Sequence, residues 1–273
     1  MRTYRHTGNW FSDDSSGPDA VNSLFKRLDR RGPLRVANYA RSTATVPSNL
    51  STPLLKSLLG EVDDMPRQVD HILERRHFPN LILSWIGHNN VDWKYDLDQD
   101  PSLDADTHCA QIPGEVAEAY RVQIARLVAK ARQQSYPVAI VIYGLGDVRS
   151  AFASRDQAEA IHQKNPGAYP DIDVIYAGFP SLRPEYRSQV PGICDAINEA
   201  LQAMAASWPA ESNVRVVYSD ALSRVPIQLS MLSPRDGWHF NPVGHEIIAA
   251  AAQQSLTEIL PGLGATPGVE CHR

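Results

Sequence analysis

Cysteine is scarce in this chain: three residues in 273, Cys109, Cys194 and Cys271. An odd, low count at scattered positions argues against a disulfide framework and leaves at most one bridge. His108-Cys109 and Cys271-His272 set two metal-binding residue types side by side. No second pair stands at a zinc-like spacing, so adjacent loop residues are the better reading. Long apolar runs are also missing, and none approaches the ~20 residues needed to cross a bilayer. Positive charge is not in excess: 26 Lys and Arg stand against 31 Asp and Glu, for a net charge of -5, which gives no support for a nucleic-acid partner. The first residues, Met1 to Phe11, lack a basic stretch followed by an apolar one, so no secretory signal is read there. As written the chain is expected in the cytoplasm; a further segment upstream of Met1 would make it secreted or periplasmic. There is no internal repeat and no low-complexity segment.

What is present is ordinary globular composition, 43% hydrophobic and 21% charged, in a length that suits one large domain or two small ones. Helical and strand patterns alternate. Val21, Leu24, Phe25 and Leu28 recur at helical spacing in Ala20 to Arg30. Leu34 to Ala40 alternates like a strand. Leu54 to Arg76 reads as helix with a break near Pro66. Leu81 to Ile86 and Pro137 to Tyr143 are short apolar runs of the kind that form buried parallel strands. Glu115 to Gln134, Asp156 to Gln163, Pro191 to Trp208 and Gly244 to Leu260 read as helices. Ile172 to Ala177 and Val214 to Tyr218 are further strand candidates, and the acidic stretch Asp92 to Pro113 reads as a surface loop. This alternation predicts an α/β fold, a three-layer α/β/α sandwich on a parallel sheet of about five strands. Residues 1–19 are expected to be an irregular segment, 20–260 the domain and 261–273 a frayed tail.

In such sheets chemistry gathers beyond the carboxyl ends of strands. Gly87-His88-Asn89-Asn90 follows the run Leu81 to Ile86. A glycine there allows close backbone approach, and an asparagine amide can donate to a developing oxyanion. Asn38 to Thr45 follows the run Leu34 to Ala40, and its small residues could turn their amides the same way. Asp236-Gly237-Trp238-His239 precedes the last helix, and a carboxylate three residues before an imidazole can orient it as a general base. Gly144-Leu145-Gly146-Asp147 lacks the third glycine and the lysine of a phosphate loop and reads as a plain turn. Arg149, Arg183 and Arg187 read as solvated surface. Trp85, Trp93 and Trp238 lie near the motifs, as core or as cleft lining.

Taken together, in their order and separation, the segments Ala37 to Thr45, Ile86 to Asn90 and Asp236 to His239 resemble the blocks of the SGNH hydrolases, also called the GDSL esterase/lipase family. Phe240-Asn241-Pro242-Val243-Gly244-His245 continues as that family does into its final helix. The resemblance spans about Ala20 to Leu260 and implies a flavodoxin-like α/β/α sandwich. It implies His239 as base, Asp236 as its orienter, Asn89 as an oxyanion donor and Gly87 as the residue that opens the donor's turn. At the family's oxyanion glycine this chain has Thr43, which keeps the backbone N–H but suits a positive-φ turn poorly. Asn90 replaces an Asp that is normally structural.

The family's first block, a strand ending in Gly-Asp-Ser, has no clear counterpart. The nearest match is Ser12-Asp13-Asp14-Ser15-Ser16-Gly17, which makes Ser15 the candidate nucleophile, although the stretch also reads as a flexible loop. A block lying upstream of Met1 is a second account, and a non-catalytic relative that kept the fold is a third. The resemblance therefore implies a serine esterase that cleaves a small-molecule ester through an acyl-enzyme, without metal or organic cofactor. The alternative is an SGNH-like module that binds a carbohydrate, an acyl ligand or a protein partner. Without its nucleophile block the chain is expected to show little esterase activity.

Overall fold

A computed structural model describes residues 21–30, 35–40, 44–46, 64–209, 211 and 213–261. In chain order the regular elements are α1 (Leu24–Asp29), α2 (Met65–Leu73), β1 (Leu81–Ser84), α3 (Trp93–Gln99) and α4 (Ala105–Ala131). They continue with β2 (Val138–Tyr143), α5 (Val148–Lys164), α6 (Val174–Gly178), α7 (Val190–Ala206), β3 (Val214–Ser219) and α8 (Pro242–Ile259). Single 3-10 turns occupy His88–Val91, Pro180–Leu182 and Leu229–Met231.

The chain separates into two compact units, each built from distant stretches of sequence. The second unit takes in Tyr39–Arg149 and Asp173–Arg224 and holds the sheet. Among the described residues that sheet has three parallel strands in the order β1-β2-β3, with Leu83 opposite Val141 and Val141 opposite Val217. β2 reads Val-Ala-Ile-Val-Ile-Tyr without alternation, and all six residues are buried, as a strand covered on both faces requires. The parallel connections run through helices: α4 packs along α7, and α7 lies on β3. α4 begins where the Asp104 carboxylate accepts the Thr107 N–H at 2.9 Å, and its apolar stripe of Ile112, Val116, Tyr120, Ile124 and Leu127 is buried.

The first unit takes in Met1–Asn38, Ser150–Ile172 and Val225–Arg273. In it α1 packs against α8. Ser23 caps α1 by accepting the Lys26 N–H at 3.3 Å. Asn241 caps α8 by accepting the Gly244 N–H at 3.0 Å, with Pro242 in the first turn, where its missing N–H has no intrahelical partner to lose.

The α/β class and the parallel sheet are as the sequence predicts, and several local readings change. The described residues hold three strands, and the expected total of about five is a count for the whole chain. Residues 35–40, inside the expected strand Leu34 to Ala40, run irregularly. Tyr39 stacks there on the His71 ring of α2 and accepts a hydrogen bond from Arg75 at 2.7 Å, so a helix rather than a strand holds it. The expected strand Ile172 to Ala177 is instead the short helix α6, with Val174 65% exposed, which no core strand residue would be. The expected loop Asp92 to Pro113 holds α3 and the first turns of α4. Trp93, Tyr95, Ile112 and Pro113 are buried, and the His108 ring bonds Asp96 at 3.0 Å, so the acidic residues mask an amphipathic pattern. α2 starts at Met65 with Pro66 in its first turn, where a break is expected, and residues 54–63 of the expected helical stretch lie outside the described ones. No helix among the described residues is long and apolar enough to cross a membrane. Cys109 and Cys194 are free thiols, and Cys271 lies outside the described residues.

Candidate active site

The segment before α8 doubles back on itself. Leu232 pairs antiparallel with Phe240, Ser233 N–H donates to the His239 carbonyl at 2.7 Å, and Gly237 N–H donates to the Ser233 carbonyl at 2.9 Å. The tip of this turn is Asp236-Gly237-Trp238-His239. Gly237 has φ 61°, a left-handed conformation, and a Cβ there would stand 2.8 Å from the Ala158 Cβ. Glycine is required on both counts.

Asp236 organises the tip with both oxygens. Oδ1 accepts the Trp238 N–H at 2.9 Å and the His239 N–H at 3.0 Å, and Oδ2 meets His239 Nδ1 at 2.9 Å. Burial pushes the Asp236 carboxyl up, but the ring and the two backbone N–H groups outweigh it, and the net displacement is below the ordinary carboxylate value. Asp236 is therefore a carboxylate near neutral pH and an acceptor only. Its Oδ2 takes the Nδ1–H of a neutral imidazole, which leaves the lone pair on Nε2. The His239 side chain is 62% exposed and that of Asp236 17%, so the base faces outward from a shielded partner. This is the geometry of an oriented general base.

A second turn follows β1. Gly87 has φ 120° and opens the 3-10 turn His88–Val91. Asn89 Nδ2 donates to the Ala44 carbonyl at 2.8 Å, and Asn90 Oδ1 accepts the Val46 N–H at 3.0 Å. Thr45 is held on its other side by Asp64, which accepts from its N–H and its hydroxyl, each at 3.1 Å. The two asparagines thus bind the backbone on either side of Thr45. Tyr120 fixes the strand end by donating to the Ile86 carbonyl at 3.0 Å. His88 Nε2 accepts the Gly146 N–H at 3.2 Å. A carboxamide carries two N–H bonds, so Asn89 retains one beyond that given to Ala44.

Asp236 and His239 are in direct contact, and Gly87 and Asn89 share one turn. Ser15 and Thr43 lie outside the described residues. Among the described residues, no three His, Cys, Asp or Glu side chains are grouped to hold a metal ion.

The profile of the family described as GDSL-like Lipase/Acylhydrolase matches residues 7–252. The chain belongs to that family. No curated protein matches the sequence. As a GDSL-like acylhydrolase the chain is a hydrolase of the SGNH kind, on the α/β fold of that family, in which a catalytic triad and an oxyanion hole are typical.

Sequence reasoning missed the residues that carry the Asp236–His239 turn of this GDSL-like protein. Trp238 stacks on Phe152 with ring centroids 5.7 Å apart, and Arg155 donates to the Asp236 carbonyl. Both come from α5, whose buried face includes Ala151, Phe152, Arg155 and Ala158. The available signal was an arginine in phase with three apolar residues at helical spacing, but the helix read from sequence began only at Asp156.

Proposed function

We propose that the chain is a serine esterase that hydrolyses a carboxylic ester through an acyl-enzyme. The observation that carries the reading is the 2.9 Å bond from His239 Nδ1 to a carboxylate, which leaves Nε2 as a base. Ser15 is the nucleophile in this reading. It stands in an Asp-Ser pair, and the family match begins at residue 7 and so takes that pair in. Its Oγ attacks the ester carbonyl carbon while Nε2 of His239 accepts the hydroxyl proton. The carbonyl oxygen becomes an oxyanion, to which the free N–H of Asn89 and the backbone N–H of Thr43 donate, Gly87 setting the turn that presents Asn89. The oxyanion collapses, the alcohol leaves with the proton from His239, and the acyl group stays on Ser15. Water, deprotonated by His239, then attacks the acyl carbon and releases the acid and the serine. No step calls for a metal or an organic cofactor, and the substrate is a small-molecule ester.

A fluorophosphonate probe with peptide mapping, alongside p-nitrophenyl acetate turnover, tests the reading. Stoichiometric labelling at Ser15 is expected, with a fall in kcat/KM of about 10³-fold or more in His239→Ala. Absence of labelling at any serine, or equal rates in the two proteins, would favour a binding module that lacks the chemistry.

A further inference from the structure

Arg155 lies in the middle of α5 and is only 2% exposed, the largest of the fully buried side chains among the described residues. Removing a guanidinium from water is costly, and a buried one is retained where its fork of N–H donors is used. Three acceptors among the described residues take donors of this fork. Nε donates to Glu159 Oε1 at 2.9 Å, Nη2 to the Ile172 carbonyl at 2.5 Å, and Nη1 to the Asp236 carbonyl. The two carbonyls belong to segments already joined to each other. Asp171 N–H donates to the Arg235 carbonyl at 2.9 Å, and Arg235 Nε donates to Asp171 Oδ2 at 2.8 Å.

Asp236 is thereby held at three points. Its Oδ1 is occupied by the turn's own N–H groups, its carbonyl by Arg155, and only Oδ2 is left to the imidazole. We propose that Arg155 is a positioning residue of the acid–base pair: it pins the Asp236 main chain so that Oδ2 stays aimed at His239 Nδ1. Phe152 beneath Trp238 and Ala158 against Gly237 support the same turn from the same helix, which makes α5 the platform of the pair. This inference rests on reading Asp236 and His239 as acid and base. An apolar residue of equal length would fill the volume but donate nothing, so two carbonyls would lose their donors and the Asp236 backbone would be released.

The test is the tautomer of the neutral His239 ring, read from its ring 15N shifts in the full-length protein, because a carboxylate acceptor favours the Nδ1–H form. Wild type is expected to hold Nδ1–H, and Asp236→Ala to lose that preference. Arg155→Met is expected to move at least halfway from the first toward the second, and Arg155→Lys, with a single point donor, to fall between wild type and the Met variant. In ester turnover the two Arg155 variants should lose kcat roughly 10- to 100-fold at little changed KM. A folded Arg155→Met with the wild-type tautomer ratio overturns the proposal. If that variant does not fold, a wild-type ratio in Arg155→Lys overturns it equally. Wild type and Asp236→Ala alike in tautomer would sink the acid–base reading itself, a different failure.

Discussion

Two turns carry the candidate chemistry, and each pivots on a glycine with positive φ, Gly237 at 61° and Gly87 at 120°. Beyond that they differ. At Asp236–His239 the side chains bond within the turn, carboxylate to ring and carboxylate to backbone, with sequence separations of two and three. The working group points outward. At Gly87–Asn90 the side chains are neutral and reach Ala44 and Val46, 45 and 44 residues away. The first turn is a local device supported from below by a helix. The second is a splice between distant segments, and the proposed oxyanion donor there, Asn89, also carries a structural bond.

That contrast predicts unequal costs. Asp236→Asn is expected to lower kcat by about 10⁴-fold, since an amide can present the wrong partner to Nδ1. Asn89→Ala is expected to cost less, about 10²- to 10³-fold, and to destabilise the chain as well through the lost bond to Ala44. Steady-state hydrolysis beside urea unfolding separates the two. If Asn89→Ala loses stability at wild-type turnover, the second turn is a splice only.

The glycines offer a smaller and purely structural comparison. Gly237→Ala meets both an unfavourable φ and the Ala158 methyl, and should cost about 3 kcal/mol. Gly87→Ala meets an unfavourable φ and only the flexible Leu145 Cδ2 at 3.3 Å, and should cost about 2 kcal/mol. Urea midpoints measure both, and a reversed order would place the tighter packing at the second turn.

The smallest effect is electrostatic. Asp236 has a folded-state carboxyl value below the ordinary one, so its contribution to stability is present above the unfolded carboxylate range. It is lost as pH falls through the folded value. The turn after β1 has no such carboxylate–imidazole bond. Stability of wild type should therefore fall more between pH 7 and pH 3 than that of Asp236→Asn, measured by urea unfolding. Equal falls would remove the ionised carboxylate from the account.

Legibility in the sequence follows the same division. The contact of Asp236 with His239 could be read because its spacing is short and confined to four residues. β2 and β3 could be read because a run of apolar β-branched residues has few other homes. Arg155 could not: its reason for being buried lies 81 residues away at the Asp236 carbonyl. Asn90 reads only as the replacement of a structural Asp, and its role as acceptor for Val46 depends on a partner no local pattern names. The helices inside Asp92 to Pro113 were hidden by charge at Asp96, Asp98, Asp100 and Asp104, although Asp104 is the residue that starts α4. Ile172 to Ala177 looks like strand on composition alone, and the helix and the exposure at Val174 show how little composition decides in so short a run.

The N–H of Asn22 donates to Glu246 Oε1 at 3.0 Å across 224 residues, beside the packing of α1 on α8. At ~5–20 residues per second of synthesis, α1 would wait roughly 10–45 s for the helix it rests on. The first unit therefore closes only after α8 has been made, and α1 spends that interval without the surface it rests on.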